Sequence, residues 1–135
     1  MRLVRNLLAA RVMAALAPFG LRSGAFSTMA LIAANPGCSQ AELGQELAMD
    51  KSAVNAILDE LEAKGLAVRV RSAEDRRRHA LTLTAEGERR MREMHRVSSA
   101  VEQPIREALS PAELEQLLRL LERAQRALLA DETRS

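Results

Sequence analysis

The chain has 135 residues, of which 47% are hydrophobic and 28% charged, with a net charge of +2 and one cysteine. That length suits one domain with a real core, and the composition excludes a disordered chain. Cys38 cannot form an internal disulfide, and no run of about 18 uncharged apolar residues exists to span a bilayer, so a cytoplasmic protein with no membrane partner is expected.

The first segment, Leu3 to Ala17, is apolar at helical spacing and is ended by Pro18 and Gly20. It superficially resembles a signal peptide, but Arg11 interrupts it, and Arg2, Arg5 and Arg11 recur along it instead of preceding it. An amphipathic helix is the better reading. Ser23 is placed to cap a second helix running to Ala34, where Asn35-Pro36-Gly37 stops it. Ser39 with Glu42 three residues on is a capping box opening a third helix, which ends near Ala48. Asp50 caps a fourth from Lys51 to Lys64, followed by Gly65 where a left-handed residue is wanted. The period then changes. Leu66, Val68 and Val70 alternate with Ala67, Arg69 and Arg71, and Ala80 to Leu83 reads as the returning strand of a hairpin. After Thr84 helical spacing resumes as far as about Ala108, with a kink or break at Pro104. Ser110, Pro111 and Glu113 supply cap, first-turn proline and box glutamate for a last helix to about Ala130.

The fold class expected from this order is mainly α with a small β-hairpin: a winged helix-turn-helix with N- and C-terminal helices forming a dimerisation domain. The last helix carries Leu114, Leu117, Leu118, Leu120, Leu121, Leu128 and Leu129 around well over half its circumference, and the first has a similar surplus. Helices this apolar need burial on more than one side, which implies a homodimer built from the termini. Residues 1–20 and 88–135 are expected to form that helical region and residues 21–87 the winged helix-turn-helix, within one continuous domain.

Charge is uneven along the chain. Residues 69–78 hold Arg69, Arg71, Arg76, Arg77 and Arg78 against Glu74 and Asp75, whereas residues 40–64 are acidic. The hairpin, not the helices, is therefore expected to carry the field that attracts phosphates. On the fourth helix Val54, Ile57, Leu58 and Leu61 form the core stripe, leaving Lys51, Ser52, Asn55, Ala56 and Asp59 outward. Short polar side chains suit a helix deep in the major groove: Asn55 can pair bidentately with adenine, Ser52 can bond base or phosphate, and Ala53 or Ala56 can touch a thymine methyl. Asp59 could accept from a cytosine amino group, or pair with an arginine. Arg22, Ser23 and Ser39 sit at helix starts, where phosphate can bind, although capping alone explains both serines.

Asp50-Lys51-Ser52-Ala53-Val54, Leu61-Glu62-Ala63-Lys64-Gly65-Leu66, Asp75-Arg76-Arg77 and Leu83-Thr84-Ala85-Glu86-Gly87 stand in an order and spacing that resembles the MarR (multiple antibiotic resistance regulator) family of transcription factors. The resemblance spans nearly the whole chain. It implies a homodimeric repressor or activator binding double-stranded DNA, with a helix (51–64) in the major groove, a wing (69–84) in the minor groove, and a small apolar or phenolic effector. It also implies that Asp75 orients Arg77 into the minor groove, and strand alternation then turns Arg76 and Arg78 to the other face, toward phosphate or the protein. Where many relatives carry an arginine after the Asn55 position, this chain has Ala56.

No phosphate-binding loop, Cys/His pair or nucleophile with a base is present, so no enzyme and no cofactor are expected. Cys38, beside a helix start, could sense oxidation, though a small residue before a capping serine is the plainer reading. His79 and His95 have no ligand spacing with each other or with Cys38. A competing reading is a dimer of the same fold that binds a protein partner and no DNA. The acidic pair Asp59 and Glu60 favours it and the intact wing opposes it.

Overall fold

The computed structural model describes residues 1–74 and 78–134. Contacts divide the chain into two compact units, Met1–Ser98 and Ser99–Ser135.

The first unit begins with α1 (Arg2–Leu16), which runs into a 3-10 turn, Ala17–Phe19, and ends at Gly20 in the left-handed conformation. Proline and glycine act there as the sequence suggests. Helix α2 covers Ala25–Ala34, and its N-cap is Gly24, at φ +87°, with no side-chain cap bond. The expectation that Ser23 caps this helix is thus corrected. The chain enters α2 through a left-handed residue, which glycine adopts without the Cβ penalty that serine would carry, and the helix instead gains a bond from the Thr28 hydroxyl to the Gly24 carbonyl at 2.8 Å.

Helix α3 (Gln40–Leu47) opens with the complete Ser39/Glu42 capping box, and α4 (Lys51–Ala63) with Asp50 accepting from the Ala53 amide at 2.8 Å. Between them Ala48 takes φ +50° and the Met49 amide returns to the Gly44 carbonyl at 3.0 Å, which closes the turn in three residues. Val54, Ile57, Leu58 and Leu61 are each at most 3% exposed. They serve two clusters. Ile57 and Leu61 pack with Ala25, Met29, Leu66, Ala67 and Met94, whereas Val54 and Leu58 pack with Ile32, Cys38, Leu43 and Leu81. The two clusters meet along one buried stripe of α4, and the rest of its surface is offered outward.

Strands β1 (Ala67–Arg71) and β2 (His79–Leu83) pair antiparallel, with Ala67 opposite Leu83 and Arg71 opposite His79. The apolar alternation in β1 faces away from the core: Val68 and Val70 are 42% and 58% exposed, while Ala67 is buried. A small residue inward lets β1 approach α4 closely, and the valines retain their strand preference outside. On its other edge Leu81 bridges Cys38, through Gly37 N–H to Leu81 C=O and Leu81 N–H to Cys38 C=O, at 2.8 and 2.9 Å.

Helix α5 (Ala85–Val101) is entered through Thr84, whose hydroxyl accepts from the Gly87 amide and donates to the Gly65 carbonyl. A Cβ on Gly87 would lie 1.9 Å from the Leu66 carbonyl oxygen, so only glycine lets this helix start touch the strand entry. The Leu-Thr-x-x-Gly motif thus has a physical cause.

In the second unit, α6 (Gln103–Ala108) carries Pro104 in its first turn, which accounts for the break. Helix α7 (Pro111–Glu132) opens with the expected Ser110/Glu113 box and leaves Leu118, Leu120, Leu121 and Leu128 between 48% and 70% exposed. No helix among the described residues is long and apolar enough to cross a membrane.

Candidate nucleic-acid interface

Because the buried stripe of α4 is fixed, the outward positions are fixed too. Lys51, Ser52 and Ala53 are exposed in its first turn, and Asn55 and Ala56 are partly covered one turn on. Beside them lies a groove of about 1020 Å³ between α3, α4 and the hairpin, bordered by Gln40, Lys51, Asn55, Arg69, Arg78 and His79.

Arg69, counted in the sequence among the phosphate-attracting arginines, has a role that sequence reasoning missed. On β1 it shares the inward face with Ala67, and its side chain is only 17% exposed. Its guanidinium donates to Glu62 at 2.6 Å, pairs with Asp59, and reaches Asn55 Oδ1 at 3.3 Å and Gln40 Oε1 at 3.4 Å. Gln40 in turn donates to Asn55 Oδ1. Burial opposes the charge on Arg69, but the carboxylates of Glu62 and Asp59 outweigh it and hold the pKa up. Chemically this is a brace between strand and helix. The signal that could have found it is the period-two link from Ala67 to Arg69, opposite carboxylates three apart on α4.

Two further arginines are engaged. Arg78 pairs with Glu42 of α3, each side chain 51% exposed. Arg22 donates through its backbone and its guanidinium to Glu60, at 3.0 and 2.8 Å, and Lys64 lies 3.6 Å from the same carboxylate. The hydrogen bond from Arg22 leads the causes that hold Glu60 below the usual carboxylate range. The picture of a freely basic hairpin is therefore corrected: Arg69 and Arg78 are both neutralised by acids of the helices. Arg71 is exposed, and Asp75, Arg76 and Arg77 lie outside the described residues.

The remaining candidates separate clearly. Ser39 is 5% exposed and its hydroxyl accepts from the Glu42 amide, as its capping role requires. Ser23 is exposed but caps nothing. Asp59 takes the arginine-paired role of the two open to it. Cys38 is 8% exposed, and burial chiefly raises its pKa, the opposite of an activated thiol.

Comparison with known proteins agrees with this geometry. The sequence model of the MarR family matches residues 19–78. A protein of Thauera aromatica whose name assigns it to transcriptional regulation of the hcr operon is 35% identical over 107 residues, 79% of this chain and 64% of that one. The structure of the transcriptional repressor CouR bound to a 23-mer DNA duplex is 31% identical and superposes with a TM-score of 0.81, covering 91% of this chain and 87% of that one. CouR of Rhodococcus jostii RHA1 bound to p-coumaroyl-CoA is 27% identical, with a TM-score of 0.79 over 90% of this chain and 86% of that one.

Proposed function

The chain belongs to the MarR family, and on that premise we propose that it is a homodimeric, sequence-specific regulator of transcription that binds double-stranded DNA in the cytoplasm. The observation that carries this reading is α4. Two apolar clusters hold its one buried stripe, and its free surface presents Lys51, Ser52, Ala53, Asn55 and Ala56 beside an open groove. Such a surface suits base edges, with the hairpin lying over the adjacent minor groove. On the family resemblance, Arg77 held by Asp75 is the residue that enters the minor groove, with Arg76 and Arg78 turned toward phosphate or the protein. The protein acts by binding and not by catalysis.

Dimerisation is supported by unpartnered apolar surface. Leu3, Val4, Leu7 and Met13 of α1 are 50% to 70% exposed, as are comparable leucines of α7. Soluble monomers rarely leave such patches uncovered, and a two-fold assembly of the terminal helices would bury them. The CouR likeness supports the reading of a repressor that responds to an effector, and the p-coumaroyl thioester bound to that protein makes a phenolic acyl compound the first effector class to try.

The competing reading, a protein-binding dimer without DNA affinity, loses its support because Asp59 and Glu60 are paired within the chain. Selection of bound sequences from a random duplex pool by the purified protein tests the proposal. A palindrome with half-sites about one helical turn apart is expected, and failure to enrich any sequence would overturn it.

A further inference from the structure

We propose that Asn55 reads the major groove as a hydrogen-bond donor only, and so recognises a guanine edge, with Arg69 and Gln40 as the positioning residues that fix it in that state. The proposal rests on the DNA-binding reading above and reverses the expectation of a bidentate pair with adenine.

A guanidinium has N–H groups and no acceptor. Arg69 lies 3.3 Å from Asn55 Oδ1 and 3.4 Å from Gln40 Oε1, so both amides must turn oxygen toward it. The guanidinium thus fixes which end of each amide faces it. With its oxygen committed to Arg69, Gln40 has its nitrogen left for Asn55, and it donates to the same Oδ1. Both lone-pair directions of Asn55 Oδ1 are then filled. Arg69 cannot easily turn away, because Glu62 and Asp59 hold its other nitrogens.

Asn55 Nδ2 donates to no group among the described residues. No buried side-chain nitrogen or oxygen there lacks a partner, so Nδ2 must reach solvent, in the groove that Asn55 borders. It offers two N–H donors. Guanine presents two adjacent acceptors, N7 and O6, for both N–H groups, whereas thymine offers the single acceptor O4 beside a methyl group and adenine pairs its N7 with an amino donor that needs an acceptor opposite. Reading adenine bidentately would require Asn55 Oδ1 to surrender at least one of its two internal hydrogen bonds, and reading guanine requires none.

The test uses the full chain and duplexes recovered from the random pool. Each half-site guanine is replaced in turn by 7-deazaguanine, which lacks N7, and each adenine by purine, which lacks the amino group. Expected is one guanine per half-site at which the deaza base weakens wild-type binding about five- to tenfold and leaves Asn55→Ala unaffected. An Asn55-dependent loss at an adenine amino group, or no Asn55-dependent purine at all, overturns the proposal while leaving DNA binding intact. Enrichment of no duplex at all defeats both readings together. Repeating the selection separates positioning from mere support: Arg69→Lys, also donor-only, should keep guanine, and Arg69→Met should admit adenine at that position. An Arg69→Met protein with weaker binding but the same base preference would overturn the positioning role.

Discussion

The pair between Glu42 and Arg78 sets two needs against each other, because phosphate and Glu42 compete for one guanidinium. Glu42→Gln removes the charge yet keeps an acceptor for the Ser39 amide, since glutamine serves a capping box as well as glutamate does. Both side chains are about half exposed, so the pair is worth about 0.2–1 kcal/mol to the free protein and its loss should barely move thermal stability. Two copies in a dimer release about 0.4–2 kcal/mol toward phosphate contact, which is an affinity gain of about two- to thirtyfold. Fluorescence anisotropy on a selected duplex at fixed salt reads this directly. A parallel series in an Arg78→Ala background distinguishes release of the arginine from simple removal of a repelling carboxylate, since the gain should largely disappear there. Equal gains in both backgrounds, or no gain in either, would refute the competition.

Three further outcomes follow from particular contacts. Gly87→Ala should lower stability by at least the upper part of the about 1–3 kcal/mol range for overpacking, because the new Cβ meets a backbone oxygen that cannot swing aside; a melting temperature within about a degree of wild type would contradict this. Glu60 has a folded pKa below its ordinary value of 4.5, so its stabilisation is complete above that value and fades as pH falls through the folded one. The urea midpoint of Glu60→Gln should accordingly lie below wild type at neutral pH and converge with it as pH falls below the ordinary carboxylate range, and a constant gap would show that the pair is not responsible. Cys38, buried and with a raised pKa, should react with a disulfide reagent at least about tenfold more slowly in the native protein than in urea, and prompt native labelling would restore a redox role.

What the sequence disclosed and what it hid divide along the range of the interactions. The caps at Ser39, Asp50 and Ser110 join residues three apart, and the stripe Val54, Ile57, Leu58, Leu61 has its period in one helix, so both are visible in a linear reading. Ser23 misled because cap chemistry was judged without the backbone: at φ +87°, Gly24 governs the entry to α2. The hairpin misled more, since alternation identifies two faces but not which one meets the protein. Helix α4 approaches the face holding Ala67 and Arg69, which exposes the valines and turns an arginine counted as free into a brace. The bridge from Cys38 to Leu81 spans 43 residues and leaves no local mark.

The central claim is that this chain reads duplex DNA specifically, through α4 and the hairpin. Binding of the selected duplex and of a scrambled control, measured from about 50 to 200 mM salt, tests it most directly. Both affinities should fall steeply as salt rises, with the selected duplex remaining about a thousandfold or more ahead at physiological salt. Binding that ignores salt, or that fails to distinguish the two duplexes, would contradict the claim.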